Sequence, residues 1–197
     1  MRVVGGRWRG RRRTAPAGRA TRPTSDRVRE AVFDVLTAPR LREAGPGDET
    51  SGGPLAGLSA LDLFAGSGAL GIEALSRGVA TCVFVECDAS AVRALRANLA
   101  ALAVPQGAAE VRAVDYRRAL EADLATARRY NLVLVDAPYA LYPAVEAELG
   151  DRLPGVLCPE AVVAVETGKD QTVRLPLAQL SVRYYGDTRV TFLQARS

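Results

Sequence analysis

At 197 residues and a net charge of +4, the chain is long enough for one well-buried domain with an appendage, and 48% hydrophobic against 24% charged residues excludes a disordered chain. No apolar run approaches the roughly 18 residues of a membrane span, and the arginine-bearing N-terminus lacks a signal peptide's apolar core, so no membrane association and a cytoplasmic location are expected. Histidine is absent, and Cys82, Cys87 and Cys158 show no C-x-x-C spacing, which argues against a zinc site, a disulfide framework and any nucleophile paired with histidine; no metal is expected.

The first thirty residues hold ten arginines (Arg2, Arg7, Arg9, Arg11, Arg12, Arg13, Arg19, Arg22, Arg27, Arg29) against Asp26 and Glu30, a surplus of +8 there and −4 in the remainder. Guanidinium forks suit phosphate oxygens and base edges, so Arg7, Arg9, Arg11, Arg12, Arg13, Arg22 and Arg27 are candidate nucleic-acid contacts. A basic tail that only aids solubility is the alternative. Residues 2–13 interleave short apolar stretches with Gly5-Gly6 and Gly10, which predicts a small β-hairpin with outward arginines. Trp8 either stacks on a base or packs the hairpin onto the main domain. Residues 1–22 are thus read as a basic arm and 23–197 as the main domain.

A helix is predicted after Arg22-Pro23, with Thr24 as N-cap, Asp26 in the first turn, one face buried through Val28, Ala31, Val32, Val35 and Leu36, and the other face basic. Residues 38–57, rich in Pro, Gly, Ser and acids, read as an exposed linker. Strands are then predicted at 58–64, 81–86, 109–114, 131–135 and 161–166, alternating with helices at 68–77, 89–103, 116–127 and 143–152. The helix at 89–103 carries Val92, Leu95, Leu99 and Leu102 as its apolar stripe. A terminal hairpin joins 180–185 to 189–194 through Gly186-Asp187-Thr188. The fold class is therefore α/β: a doubly wound, mostly parallel sheet of seven strands with a C-terminal antiparallel hairpin.

Asp62-Leu63-Phe64-Ala65-Gly66-Ser67-Gly68-Ala69-Leu70-Gly71 bridges the first main-domain strand and its helix. Gly66, Gly68 and Gly71 permit a tight turn that brings backbone N–H groups close to a ligand. Glu86, twenty positions after Gly66 at the end of the second strand, can accept from both hydroxyls of a ribose. Asp115 either accepts from an adenine amine or caps the next helix. Ala65, Ser67, Cys87 and Tyr116 complete the candidate cofactor set, with Phe64, which is also a core candidate. A nicotinamide enzyme shares this loop. Asp62, which can face a cationic cofactor, and the lack of a Tyr-x-x-x-Lys or histidine acid favour S-adenosylmethionine instead.

Asp136-Ala137-Pro138-Tyr139 closes the apolar run 132–135. A base amine is a poor nucleophile because its lone pair is delocalised into the ring; acceptors on its two N–H bonds turn that pair toward a methyl donor and stabilise the charge growing on nitrogen. Asp136 can supply one acceptor, the carbonyl of Ala137 or Pro138 the other, and Tyr139 a surface for stacking. The expected reaction is methyl transfer to a nucleobase amine of RNA or of DNA (adenine or cytosine); a non-catalytic RNA-binding or ribosome-assembly factor is the alternative from another class. Cysteine-dependent methylation at carbon is not supported, because Cys158-Pro159 lies away from the cofactor turn.

The chain resembles the RsmD-like bacterial methyltransferases over nearly its whole length. The resemblance rests on Arg2-Val3-Val4-Gly5-Gly6-Arg7-Trp8-Arg9-Gly10, on Arg22-Pro23-Thr24-Ser25-Asp26-Arg27-Val28-Arg29-Glu30, on 61–78, on Phe84-Val85-Glu86 and on Tyr185-Gly186-Asp187-Thr188. It implies a Rossmann-like class I S-adenosylmethionine-dependent fold, an N-terminal hairpin that contacts RNA, and methylation of a guanine N2 amine in small-subunit 16S ribosomal RNA, with Asp136 and Tyr139 holding the amine. The implied partner is ribosomal RNA, within a small-subunit assembly particle, met by a monomer. Ala137 stands where that family usually has a first proline, and 43–54 looks like an insertion.

Overall fold

The structure, a computed structural model, describes residues 2–14, 25–38 and 53–196. The expected contact Arg22, the expected cap Thr24 and most of the expected linker lie outside them. Helix α1 (Asp26–Leu36) starts from Ser25, one residue later than expected; the Ser25 hydroxyl accepts from the Val28 amide at 3.2 Å. The rest of the domain alternates as β1 (Ser59–Leu63), α2 (Ala69–Ser76), β2 (Thr81–Val85), α3 (Ala89–Ala101), β3 (Ala109–Arg112), α4 (Tyr116–Ala125), β4 (Tyr130–Val135), α5 (Tyr142–Arg152), β5 (Leu157–Gly168), β6 (Ala178–Tyr185) and β7 (Thr188–Gln194). Among the described residues no helix is long and apolar enough to cross a membrane.

All seven strands form one sheet in the order β3-β2-β1-β4-β5-β7-β6. The first five are parallel, and β7 runs antiparallel between β5 and β6. Leu61, Leu63, Val133, Val135, Val163 and Val165 pack on one face with α4 and α5, while Ala60, Phe84, Leu132, Leu134 and Phe192 pack on the other with α1, α2 and α3. Both faces are covered, so the central strands read as continuous apolar runs rather than alternating ones. Strand order reverses between β1 and β4, and an open sheet of this kind binds ligands in the crevice outside the carboxyl ends of those strands.

Two expectations need correction. Residues 2–12 form only a minimal hairpin without full strands: one antiparallel bridge, Arg2 to Arg12, and the bonds Val3 N–H to Arg11 (3.0 Å) and Gly10 N–H to Val3 (2.9 Å) around a 3-10 turn at Gly6–Trp8. Within the expected linker, Leu55 is buried in the core rather than exposed.

Candidate active site

Register brings the candidate groups together. Leu63 pairs with Val85 of β2 and with Val135 of β4, and Val135 pairs with Val165 of β5. The next residue on each strand is Phe64, Glu86, Asp136 and Glu166, so the glycine turn and both expected strand-end acids leave the sheet at one level, beside a further acid, Glu166, still paired with Val190 in β5. At the turn, Phe64 has a left-handed φ of 66°, strained for an aromatic residue, and its ring lies 4.9 Å from that of Tyr116. Gly66 (φ 55°) has open space where a side chain would stand, whereas a Cβ on Gly68 or Gly71 would meet Leu95 at 2.5 Å or Phe84 at 2.3 Å. The first glycine leaves room beside the loop, the second lets Leu95 of α3 close against the turn, and the third lets α2 close onto the sheet.

Glu86 accepts from the Gly66 amide (2.9 Å) through one oxygen and from the Asp88 amide (2.7 Å) through the other, which fixes the carboxylate beside the turn while each oxygen keeps a second lone pair for a ribose hydroxyl. Asp62 is 1% exposed and accepts from the Gly71 amide at 2.8 Å, so it organises the turn from beneath. Burial pushes its pKa up to about 8; the Gly71 bond opposes this, and the charges of Asp136 and Glu86 add to it. Ala65 and Ser67 are buried in the turn. Asp115 caps α4 through the Arg117 amide at 2.9 Å, as the second of its two readings expected. Tyr116 is buried against Phe64, and its hydroxyl has no partner among the described residues. Cys87 is exposed, with its thiol pKa raised by partial burial and by the charge of Glu86. An open glycine cradle beside a fixed carboxylate fits the adenosyl part of S-adenosylmethionine, and the surrounding acids fit its positive charge.

Past β4, Asp136 is half-buried, Ala137 buried and Pro138 exposed. The Pro138 carbonyl accepts from the Leu141 amide (2.8 Å), and the Tyr139 carbonyl from the Gln171 side-chain amide (2.7 Å). Those bonds, with the buried Ala137 methyl, hold a turn that has no proline at 137. The Tyr139 phenol donates to Glu166 (3.2 Å) and meets the Thr188 hydroxyl at 3.1 Å. Burial pushes its pKa up to about 12, with Glu166 and Asp136 adding to the rise and Thr188 opposing it, so it remains a neutral donor at physiological pH. Sequence reasoning missed Glu166, Gln171 and Thr188. Only Thr188 carried a signal, as the last residue of Tyr185-Gly186-Asp187-Thr188.

The basic segment is docked, not extended. Buried Glu73 of α2 accepts from the amides of Val4 (2.9 Å) and Gly5 (2.7 Å) and pairs with Arg77 and with Arg29, which is itself fully buried. Ser76 donates to the Gly5 carbonyl (2.6 Å) and accepts from the Trp8 amide (3.0 Å). Further on, Asn98 of α3 bonds Thr14 in both directions and donates to the Ser67 carbonyl of the glycine turn (3.0 Å). The segment thus runs along α2 up to the cofactor turn. Arg7, Arg9, Arg11, Arg12 and Arg27 are exposed; Trp8 packs partly against the core under the Arg7 guanidinium, 3.9 Å from its ring. Arg13, expected on the nucleic-acid face, is instead 5% exposed, because the chain turns inward at Thr14 to reach Asn98.

The family described as Conserved hypothetical protein 95 matches residues 1–194. Ribosomal RNA small subunit methyltransferase D of Escherichia coli K12 is 37% identical over 169 residues, 85% of this chain and 74% of that protein. The Haemophilus influenzae protein of the same name is 30% identical over 185 residues, 89% and 83% of the two chains. A solved structure of a hypothetical protein from Thermus thermophilus superposes with a TM-score of 0.78 at 32% identity, covering 100% of this chain and 99% of that one.

Proposed function

The chain belongs to the conserved hypothetical protein 95 family, and from that membership we propose that it transfers the methyl group of S-adenosylmethionine to the N2 amine of a guanine in 16S ribosomal RNA of the small subunit. The observation that carries the reading is the in-register exit of the glycine turn and Asp136-Ala137-Pro138-Tyr139 from neighbouring strands, which sets a methyl donor and an amine holder side by side. The names of the two curated relatives support ribosomal RNA as the substrate class.

S-adenosylmethionine, when bound, supplies an already activated methyl group, so the protein's work is positioning and charge. Glu86 and the amides of the turn hold the adenosyl part. Asp136 accepts one N–H of the amine. The carbonyl of Ala137 or of Pro138 is the second acceptor, since the Pro138 oxygen that accepts from Leu141 keeps a second lone pair. Together they direct the lone pair along the line of displacement and stabilise the charge developing on nitrogen. Tyr139, anchored by its phenol, presents its ring to the guanine. The proton leaves to Asp136 or water. A paired base cannot reach this pocket without leaving its stack, so a single strand or loop within a small-subunit assembly particle is the substrate we favour. One chain carries every group named, so a monomer suffices. Exposed Arg7, Arg9, Arg11 and Arg12 lie on the docked segment and hold phosphates.

The test offers labelled S-adenosylmethionine with unmodified small subunits, naked ribosomal RNA and DNA, and identifies the methylated nucleoside. N2-methylguanine in the RNA is expected; N6-methyladenine in DNA with nothing in RNA overturns the reading. Asp136→Ala should lower turnover by about 100-fold or more, the scale of removing one preorganised transition-state acceptor. Cofactor affinity should stay within a few fold, and its loss instead would reassign Asp136 to the cofactor.

A further inference from the structure

Asn98 is 3% exposed and is the only polar residue among the buried residues of α3. A buried carboxamide is costly unless its groups are paired, and here the pairing is divided between two separate stretches of chain. Its side-chain oxygen accepts from the Thr14 amide (2.7 Å), and its side-chain nitrogen donates to the carbonyls of Thr14 (3.0 Å) and Ser67 (3.0 Å). Ser67 lies between the first two glycines of the cofactor turn. The peptide that joins it to Gly68 is fixed at both ends, since the Gly68 amide donates to the Ala65 carbonyl at 2.7 Å. A shift of the Asn98 carboxamide therefore frees the central peptide of the turn, and two of the three bonds that orient the carboxamide come from Thr14.

Thr14 follows exposed Arg9, Arg11 and Arg12. Past the bridge from Arg2 to Arg12, the two Asn98 bonds are the only hydrogen bonds that hold the segment's end among the described residues. Against them stands buried Arg13, whose three side-chain nitrogens have no hydrogen-bond partner among those residues; the charges of Glu73, Asp26 and Asp62 offset its burial only in part. Two hydrogen bonds against one unpaired buried charge leave residues 13 and 14 near a balance between a docked and a released state. Both ligands favour the docked one. Arg11 and Arg12 hold fixed positions for phosphates only while the chain beyond them is anchored, and Ser67 keeps its place in the cofactor turn only while Thr14 orients Asn98. We propose that Asn98 is a positioning residue that couples the two substrates: RNA on the docked segment sets the glycine turn for S-adenosylmethionine, and the bound cofactor holds the segment for RNA. The proposal rests on the RNA reading above.

The test titrates S-adenosylhomocysteine into the full-length wild type, Asn98→Ala and Arg13→Leu, each with and without saturating small-subunit RNA. In wild type, RNA should tighten S-adenosylhomocysteine by about tenfold, an ordinary size for coupling between sites, and S-adenosylhomocysteine should tighten RNA by the same factor. Asn98→Ala should abolish that factor. Arg13→Leu removes the charge that opposes docking, so it should tighten S-adenosylhomocysteine in the absence of RNA and shrink the factor from the other side. An asparagine that served only the fold would weaken binding equally with and without RNA. If Asn98→Ala keeps the wild-type factor, the coupling arises elsewhere, for instance from the target base against the cofactor, and the proposal is overturned. It is overturned as well if Arg13→Leu leaves the affinity and the factor as they are in wild type. A wild type that methylates RNA but shows no coupling sinks the proposal while the RNA reading stands; one that leaves RNA unmodified overturns that reading, and the coupling with it.

Discussion

A guanidinium buried without partners is costly. Arg13 is 5% exposed, none of its three side-chain nitrogens has a hydrogen-bond partner among the described residues, and burial together with the charge of Arg29 brings its pKa down to about 10. Arg13→Leu should therefore raise thermal stability, by about 2–4 °C for each kcal/mol recovered in a domain of this size, without weakening RNA binding. A melting curve and a filter-binding titration check both parts. Thr188 contributes differently, since its hydroxyl braces the phenol that orients Tyr139. Thr188→Val keeps the volume and removes that brace. Turnover should fall by up to about tenfold, the worth of one hydrogen bond, with the cofactor KM unchanged; an equal change in both would mean the threonine serves only the fold.

The basic segment shows why an element's composition does not reveal its shape. Its Gly and apolar residues predicted a hairpin, and Val3 does pair across it with Arg11 and Gly10, but the amides of Val4, Gly5 and Trp8 are taken by Glu73 and Ser76 of α2 instead of by a second strand. Gly6 makes this possible: its φ is +70°, and a Cβ there would stand 1.8 Å from the Ser76 carbonyl oxygen. A sign was present in the sequence, because Glu73 interrupts an otherwise apolar short helix and Asn98 sits on the stripe of Leu95 and Leu102. Removing the whole segment would strip buried Val3 from the core along with the exposed arginines, so substitution is the cleaner probe. Arg9 and Arg12 are exposed without ion pairs among the described residues, and Arg9→Ser with Arg12→Ser should flatten the salt dependence of RNA binding. The slope should drop by about 0.7 for each phosphate of a single strand that is no longer neutralised, at unchanged melting temperature.

Across the whole molecule, folding gathers acids at the carboxyl edge of the sheet, and that has a thermodynamic signature. Asp62 titrates near 3.8 when unfolded but at about 8 in the fold, so between these values the native state binds the extra proton and stability falls as pH rises. Asp62→Asn keeps an acceptor for Gly71 and removes the titration. Urea midpoints should thus fall less steeply from pH 5 to 9 in the variant than in wild type. The parallel sheet, the glycine turn and the placing of the two strand-end acids and of residues 136–139 at the carboxyl edge were all legible in the chain, because apolar runs, helical spacing and turn residues are local properties that neighbours along the backbone dictate. Strand limits moved by a few residues where the ladder extends past the apolar run, as in β5 (Leu157–Gly168). The anchors were not legible: Thr188 and Tyr139 are 49 positions apart, and Val4 and Glu73 are 69. Nor was the inward turn that buries Arg13. Such contacts depend on which strands become neighbours and in what register, and that emerges only when both faces of the sheet are covered.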